Sequence, residues 1–246
     1  MSALVRTGPA RARRALLAWA AVGALVAFGT PATAQHFDED SDVKPRDFES
    51  SEHFGLEFRI GPYSPDMGSN DAFDTFFNDD IGPMLALEFD VIAWRLPKVL
   101  ALGGGGRIGR AGYDGTTVSV TGVQTSEETT FEMIPLDLLV FLRIDALSRQ
   151  WSIPFNFTGK LGYEWNHWDT NSGGSDDASG WSQGLMWGAQ LALDLDTLEP
   201  RQARMLDEEY GINHSYLFFE LYGFEPSASS LEIGGLQWTA GLGFVM

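Results

Sequence analysis

Cysteine is absent from all 246 residues, which excludes a disulfide framework, a thiolate metal site and a lipid anchor on a cysteine. Bases are scarce, with 16 Lys and Arg against 34 Asp and Glu and a formal charge of −18. So acidic a chain repels phosphate backbones, and nucleic acid is excluded as a partner. Long apolar runs are also missing beyond the first thirty residues. No later segment supplies the roughly 20 apolar residues of a spanning helix. That absence leaves open a membrane-crossing strand, whose apolar residues alternate with polar ones and escape a hydropathy scan.

What is present begins with Arg6, Arg11, Arg13 and Arg14, an apolar stretch from Ala15 to Phe28, and Ala32-Thr33-Ala34. A basic start, a short apolar run and a small-x-small site make a secretory signal peptide, expected to be cleaved after Ala34. Removing residues 1–34 takes away four Arg and no acid, which leaves twelve Lys and Arg against 34 acids and a charge of −22. Residues 35–52 are acidic and aperiodic and read as a flexible periplasmic tail.

From His53 the pattern takes a period of two, and residues 53–246 read as a barrel. Phe54, Leu56, Phe58 and Ile60 alternate with Gly55, Glu57, Arg59 and Gly61, one apolar face against one small or charged face. The alternation returns at Leu85 to Val91, at Val99 to Arg110 with the glycines Gly103 to Gly106, at Ile134 to Ile144, and at Phe155 to Trp165. It returns again at Leu185 to Leu193, Leu217 to Leu221 and Trp238 to Met246. The expected fold is all-β, a transmembrane antiparallel up-and-down β-barrel of about eight strands. Short connections at 95–98 and 146–152 belong to the periplasmic side, and longer ones at 63–81, 111–128, 166–180 and 224–235 to the outside. Residues 196–213 are the exception, where Pro200 and Gly211 bracket one short periplasmic helix over Arg201 to Tyr210.

Trp94 and Trp151 beside the short turns, and Tyr163, Trp165, Trp181 and Trp238 toward the long loops, fit two interfacial girdles. The last eight residues, TAGLGFVM, fit the polar-x-Gly-x-x-apolar-x-apolar signal read by barrel-assembly machinery, carried by Thr239, Gly241, Phe244 and Met246. Several short motifs also stand out: Gly61-Pro62-Tyr63, Ile134-Pro135-Leu136, Gly159 to Tyr163, Leu193-Asp194-Leu195, Gly211 to Leu217, and Trp238 to Gly241. On these the chain, from Phe54 to Met246, resembles a family of small outer-membrane β-barrels from myxobacteria and related Gram-negative bacteria. The resemblance implies a barrel and an outer-membrane location, and assigns no functional residue.

Glu57, Arg59, Glu88, Asp90, Arg107, Asp137, Arg143, Lys160, Glu164, Asp194 and Glu220 share the lumen-facing phase. In a barrel of eight strands such charges pair and seal the interior, and a narrow solute or ion channel is the alternative. Gly103 to Gly106 lacks the Gly-Lys-Ser/Thr continuation of a phosphate loop. The loop acids Asp66, Asp71, Asp74, Asp79, Asp80, Asp169, Asp176 and Asp177 form no calcium-loop motif, so no metal or cofactor is expected. His167, Asp169 and Ser172 or Ser175 are the only set suited to lipid A chemistry, and they fall in an expected mobile loop, so no enzyme is expected. The reading is therefore a non-enzymatic barrel with a structural or surface-interaction role and acidic external loops. Its expected partners are outer-membrane lipid and lipopolysaccharide, periplasmic chaperones and the barrel-assembly machinery during biogenesis, and an extracellular partner of unspecified chemistry.

Overall fold

The computed structural model describes residues 52–65, 77, 82–118, 124–172, 178–227 and 234–246. The expected signal peptide, residues 35–51, and Asp66, Asp71, Asp74, Asp79, Asp80, Ser175, Asp176 and Asp177 lie outside them. Eight antiparallel strands pair in chain order: β1 (Phe54–Tyr63), β2 (Gly82–Leu96), β3 (Leu100–Val118), β4 (Gln124–Ile144), β5 (Phe155–Ser172), β6 (Ala178–Asp194), β7 (His214–Pro226) and β8 (Gly235–Val245). β8 pairs with β1 and closes the sheet into a barrel. At that seam the Met246 carbonyl accepts from the N–H groups of His53 at 2.7 Å and Phe54 at 2.9 Å.

The register fixes the barrel's shape. From Glu57 of β1 the ladder leads through Glu88, Arg107, Asp137 and Glu164 to Gly184 of β6. The other way round it leads through Gly243 and Tyr216 to Asp194 of the same strand. Positions 184 and 194 differ by ten residues, which is the stagger of the closed sheet. Eight staggered strands tilt by about 40° and enclose a space that side chains fill.

Alternation decides which side chains enter that space. Phe54, Phe58, Leu85, Leu87, Phe89, Leu138, Val140, Leu161, Leu185 and Leu217 are exposed on the outer wall, while Glu57, Arg59, Glu88, Arg107, Lys160, Glu164 and Glu220 are buried inside. Trp94 and Trp151 are exposed at the end that holds the barrel's termini, and Trp181 and Trp238 are exposed toward the other, loop end. Tyr163 and Trp165 meet edge to face with centroids 4.9 Å apart.

Toward the loop end the polarity inverts. Tyr63, Met84, Ala111, Tyr113, Phe131, Met133 and Tyr222 point inward with Phe77 and form an apolar cluster, with Trp168 packed against it. The outward positions there are Asp114, Thr130, Glu132 and Asp169. This inversion corrects the expected loops, because residues 111–118, 124–128, 166–172 and 178–180 are strand. His167 accordingly sits in β5, not in a mobile loop.

The helices also differ from expectation. The expected one is present as Pro200–Tyr210, with Pro in its first turn and Gly211 at φ 68° receiving the chain at its end. Two others accompany it at the same end of the barrel, so one helix was too few. Numbered in chain order they are α1 (Ala146–Trp151), α2 (Leu195–Leu198) and α3 (Pro200–Tyr210). Ser148 anchors α1 by donating to the Asp145 carbonyl at 3.2 Å.

Candidate functional site

The filled lumen is the one place where the fold gathers most of its buried charge. Its middle layer is built on the ladder row Glu57, Glu88, Arg107, Asp137 and Glu164, in which one lumen-facing residue from each of five neighbouring strands lies side by side. The Lys160 ammonium Nζ lies 2.9 Å from Glu57 Oε2 and 3.1 Å from Glu220 Oε2, and it also donates to Glu88. Arg59 pairs with Glu57, with Glu88 at 3.0 Å and with Glu220 at 2.8 Å. Arg107 pairs with Asp137 and reaches Glu164 at 3.4 Å and Glu220 at 3.6 Å.

Neutral groups complete the layer. Tyr216 Oη donates to Glu57 Oε1 at 2.7 Å, and Gln190 Nε2 donates to the same oxygen at 2.9 Å. Arg143 Nη2 donates to Tyr216 Oη at 3.0 Å, and Asn166 Nδ2 donates to Glu164 at 2.7 Å. Arg59 stacks over Phe218 at 4.8 Å and Arg107 over Tyr222 at 4.7 Å. Each of these two guanidiniums thus has a carboxylate at its edge and a ring on its face, the arrangement that best offsets the cost of desolvating it.

Asp90 is the exception. It is buried, and neither of its carboxylate oxygens has a hydrogen-bond partner among the described residues. A Cβ at Gly105 would collide with Asp90 Oδ1, and one at Gly55 would lie 3.1 Å from its Cβ. Two of the barrel's glycines therefore make the niche that this side chain occupies. Gly103 similarly makes room for the Phe141 ring, so packing explains the two inward glycines of the run, Gly103 and Gly105.

At the terminal end a second ionic group closes the lumen. Glu52 receives Arg149 Nη2 at 2.5 Å and His214 Nε2 at 3.3 Å, and it also pairs with Arg95. Burial works against the charged Glu52 carboxylate, but the His214 hydrogen bond and the Arg149 and Arg95 guanidiniums outweigh it and hold its pKa at about 2. Residue 52 is therefore bound rather than part of a free tail. Asp145 takes Arg149 Nε at 3.0 Å and Arg95 at 3.5 Å. Asp194 faces inward and caps α2, accepting from the N–H of Asp196 at 3.0 Å. The space among these groups is about 20 Å³, room for about one water.

All eleven lumen-phase residues named from the sequence are buried in this interior. Of the four residues of the terminal signal, Thr239 is buried in the lumen beside Glu220 in the ladder. Gly241 sits under the Phe218 ring, Phe244 pairs with Leu56, and Met246 closes the seam. Sequence reasoning put Asp145 and Gln190 on the polar face of their strands, and it passed over Glu52, Arg95, Arg149 and Tyr216. Arg95 was read as the start of a short connection, but it lies in β2 beyond a bulge: Ile92 pairs with Gly103 but Trp94 with Leu102, so Ala93 is an extra residue. The extra residue turns Trp94 outward and Arg95 inward, opposite to strict alternation.

Among the described residues two groups have the spacing of cation ligands. Glu57, Glu88 and Asp90 bring oxygens within 4.8 Å of one another, yet Lys160 and Arg59 already take the Glu57 and Glu88 carboxylates. Asp194, Asp196 and His214 form the second, and there His214 Nδ1 and Ser215 Oγ both bond Asp196. That serine and histidine share a carboxylate without bonding each other, which is not the relay of a serine nucleophile. His167 lies on the outer face of β5, its ring 4.8 Å from that of Trp181 and edge-on to it.

No family model matches the chain, and no curated protein matches it. Among solved structures it is similar to Ail, the attachment invasion locus protein of Yersinia pestis, at 10% identity and TM-score 0.43, covering 79% of this chain and 97% of that one. Neisserial surface protein A is similar at 12% identity and TM-score 0.42, over 80% of this chain and 98% of that one. A major outer membrane protein of Thermus thermophilus is similar at 15% identity and TM-score 0.48, over 80% of this chain and all of that one. Likenesses this distant assign no activity, and the closed barrel stands on its own register.

Proposed function

We propose that the chain is an exported outer-membrane protein whose barrel is a sealed, non-enzymatic scaffold, serving the envelope through its outer wall and its acidic loops. The observation that carries this is the reversal of ordinary protein polarity: an apolar outer wall with exposed Phe, Leu and Trp surrounds a core of paired charges. In water that wall would be an extensive exposed apolar surface, whereas in hydrocarbon it is solvated, and closure of the sheet pairs the backbone that an open edge would strand. Export by a signal peptide cleaved after Ala34, assembly by the barrel-assembly machinery, and contact with lipopolysaccharide belong to the same reading. The resemblance to small outer-membrane barrels of myxobacteria is in keeping with it.

The filling of the lumen supports a sealed interior. Ion pairs fill its middle, the Glu52 group fills its terminal end, and aromatic rings fill the loop end. The test is fractionation with heat-modifiable gel migration, followed by planar-bilayer recording. The protein is expected in the outer-membrane fraction, with an unheated form that migrates faster and no steady conductance. A reproducible open level would replace the scaffold with a channel, and a folded monomer stable without detergent would remove the membrane placement.

A further inference from the structure

We infer that the outer wall carries a binding site for one phosphorylated, acylated lipid of the surrounding leaflet, formed by a groove over β1 to β4 and the guanidinium of Arg110. The inference rests on the membrane placement proposed above. The groove has a volume of about 440 Å³ and is walled by Phe58, Leu85, Leu87, Ile108 and Ile134, with Arg110 at its loop-ward end. Four of these walls, Phe58, Leu85, Leu87 and Ile108, are exposed. In a bilayer the groove opens onto hydrocarbon, so an acyl chain fills it.

The head group is set by where the groove ends. Outward residues of β3 run Leu100, Leu102, Gly104, Gly106 and Ile108 before Arg110, and those of β4 run from Ile144 through Leu142, Val140, Leu138, Leu136 and Ile134 before Glu132. The apolar wall thus stops on both strands at the Arg110 and Glu132 pair, the level of lipid head groups. Arg110 Nε lies 2.8 Å from Glu132 Oε1, and Arg110 Nη2 donates to Glu132 Oε2 at 3.0 Å. A guanidinium has five donors, so one edge is held by Glu132 and the rest remain to take phosphate oxygens. The Arg110 side chain is 71% exposed, and Glu132 fixes its direction.

Arg110 is also singular in position. Arg59, Arg107, Arg143 and Lys160 are lumenal, Arg95, Lys98 and Arg149 lie at the terminal end, and Arg201 and Arg204 are on α3. Beyond residue 46 the sequence holds no other Lys or Arg, so Arg110 is the one Lys or Arg on the outer wall toward the loop end. The other charged residues on this side of the outer wall, Asp114, Glu128, Glu132 and Asp169, are acids. Free phosphate is repelled from such a surface. A phosphate is retained only when an acyl chain in the groove holds it against Arg110, so the site selects an amphiphile rather than a soluble anion.

The test uses refolded protein in a neutral detergent. It is mixed with bisphosphorylated lipid A, with the same lipid after phosphatase treatment, or with inorganic phosphate, and bound equivalents are counted by native mass spectrometry. Wild type is expected to retain one equivalent of the phosphorylated lipid and no inorganic phosphate. Arg110→Gln, which removes charged hydrogen bonds, and Ile108→Trp, which fills the groove, should each weaken retention by about tenfold. Glu132→Gln should strengthen it, because a competing carboxylate is gone. Heat-modifiable migration checks that each variant is folded. Equal retention of the dephosphorylated lipid, or unaltered retention by Arg110→Gln, overturns the inference. If the protein needs detergent yet shows no lipid preference, only this inference fails; if it needs no detergent, the membrane placement fails first.

Discussion

Replacing Lys160 by Met removes a cation that touches Glu57, Glu88 and Glu220 while keeping an unbranched apolar stem of similar length. The connected network holds five carboxylates, Glu57, Glu88, Asp137, Glu164 and Glu220, against four cations, Arg59, Arg107, Arg143 and Lys160, with Asp90 buried beside it. The variant leaves three cations. The Lys160 side chain and its three partners are fully buried, so water cannot compensate the stranded carboxylates. Breaking a buried ion pair from one side costs about 3–5 kcal/mol, and that is the loss expected for Lys160→Met. Adding Glu220→Gln restores the balance, since Glu220 keeps a neutral group beside Arg59, and the double variant should recover all but about 1–2 kcal/mol. Urea unfolding and refolding in lipid vesicles, followed by Trp fluorescence, measures both. A single variant within about 1 kcal/mol of wild type, or a double variant no more stable than the single, would refute the view that the lumen is held by charge balance.

Acid should loosen the terminal end. Glu52 ordinarily titrates near 4.5 and is held at about 2 in the folded chain, so its contribution is complete above 4.5 and is lost as pH falls toward 2, on the order of 3 kcal/mol in all. Unfolding free energies of wild type and Glu52→Gln between pH 6 and 2.5 should converge as pH drops, and parallel curves would contradict the assignment. Gly243→Ala places a Cβ within the Tyr216 ring and should cost about 1–3 kcal/mol by overpacking. Tyr216→Ala in that background removes the overlap, so the two urea-midpoint losses should be less than additive.

The membrane-facing part of the barrel was legible because two media flank each strand and every second residue meets hydrocarbon. Phe54, Phe58, Leu138 and Leu161 announce their strands individually. The loop-end extensions were illegible for the complementary reason. Beyond the apolar wall water lies outside and aromatic residues fill the inside, so Tyr113, Phe131 and Met133 carry the apolar phase on the opposite face from Ile108 and Ile134. A scan expecting one constant polarity meets a phase change there and reads loop. α3 was found from Pro200 and Gly211, which act locally, while α1 has neither signal and depends on Ser148 meeting Asp145 and Asn156. The lumenal charges were visible as a phase, but who pairs with whom depends on the ten-residue stagger, which no single strand encodes. Glu52 was missed because its partners come from β2, α1 and β7.

The extra residue at Ala93 has a consequence larger than its size. Downstream of it, β2 reads in the opposite parity along the chain, and the bulge that absorbs this peptide unit keeps an indole on the lipid side and a guanidinium against the carboxylate at position 52. Deleting Ala93 alone would leave a regular ladder, with Ile92 inward, Trp94 outward and Arg95 inward as before, because the bulge already absorbs the extra residue. A residue inserted without a further bulge would by contrast exchange those fates, driving Trp94 into a space of about 20 Å³ and stranding Arg95 on the hydrocarbon side.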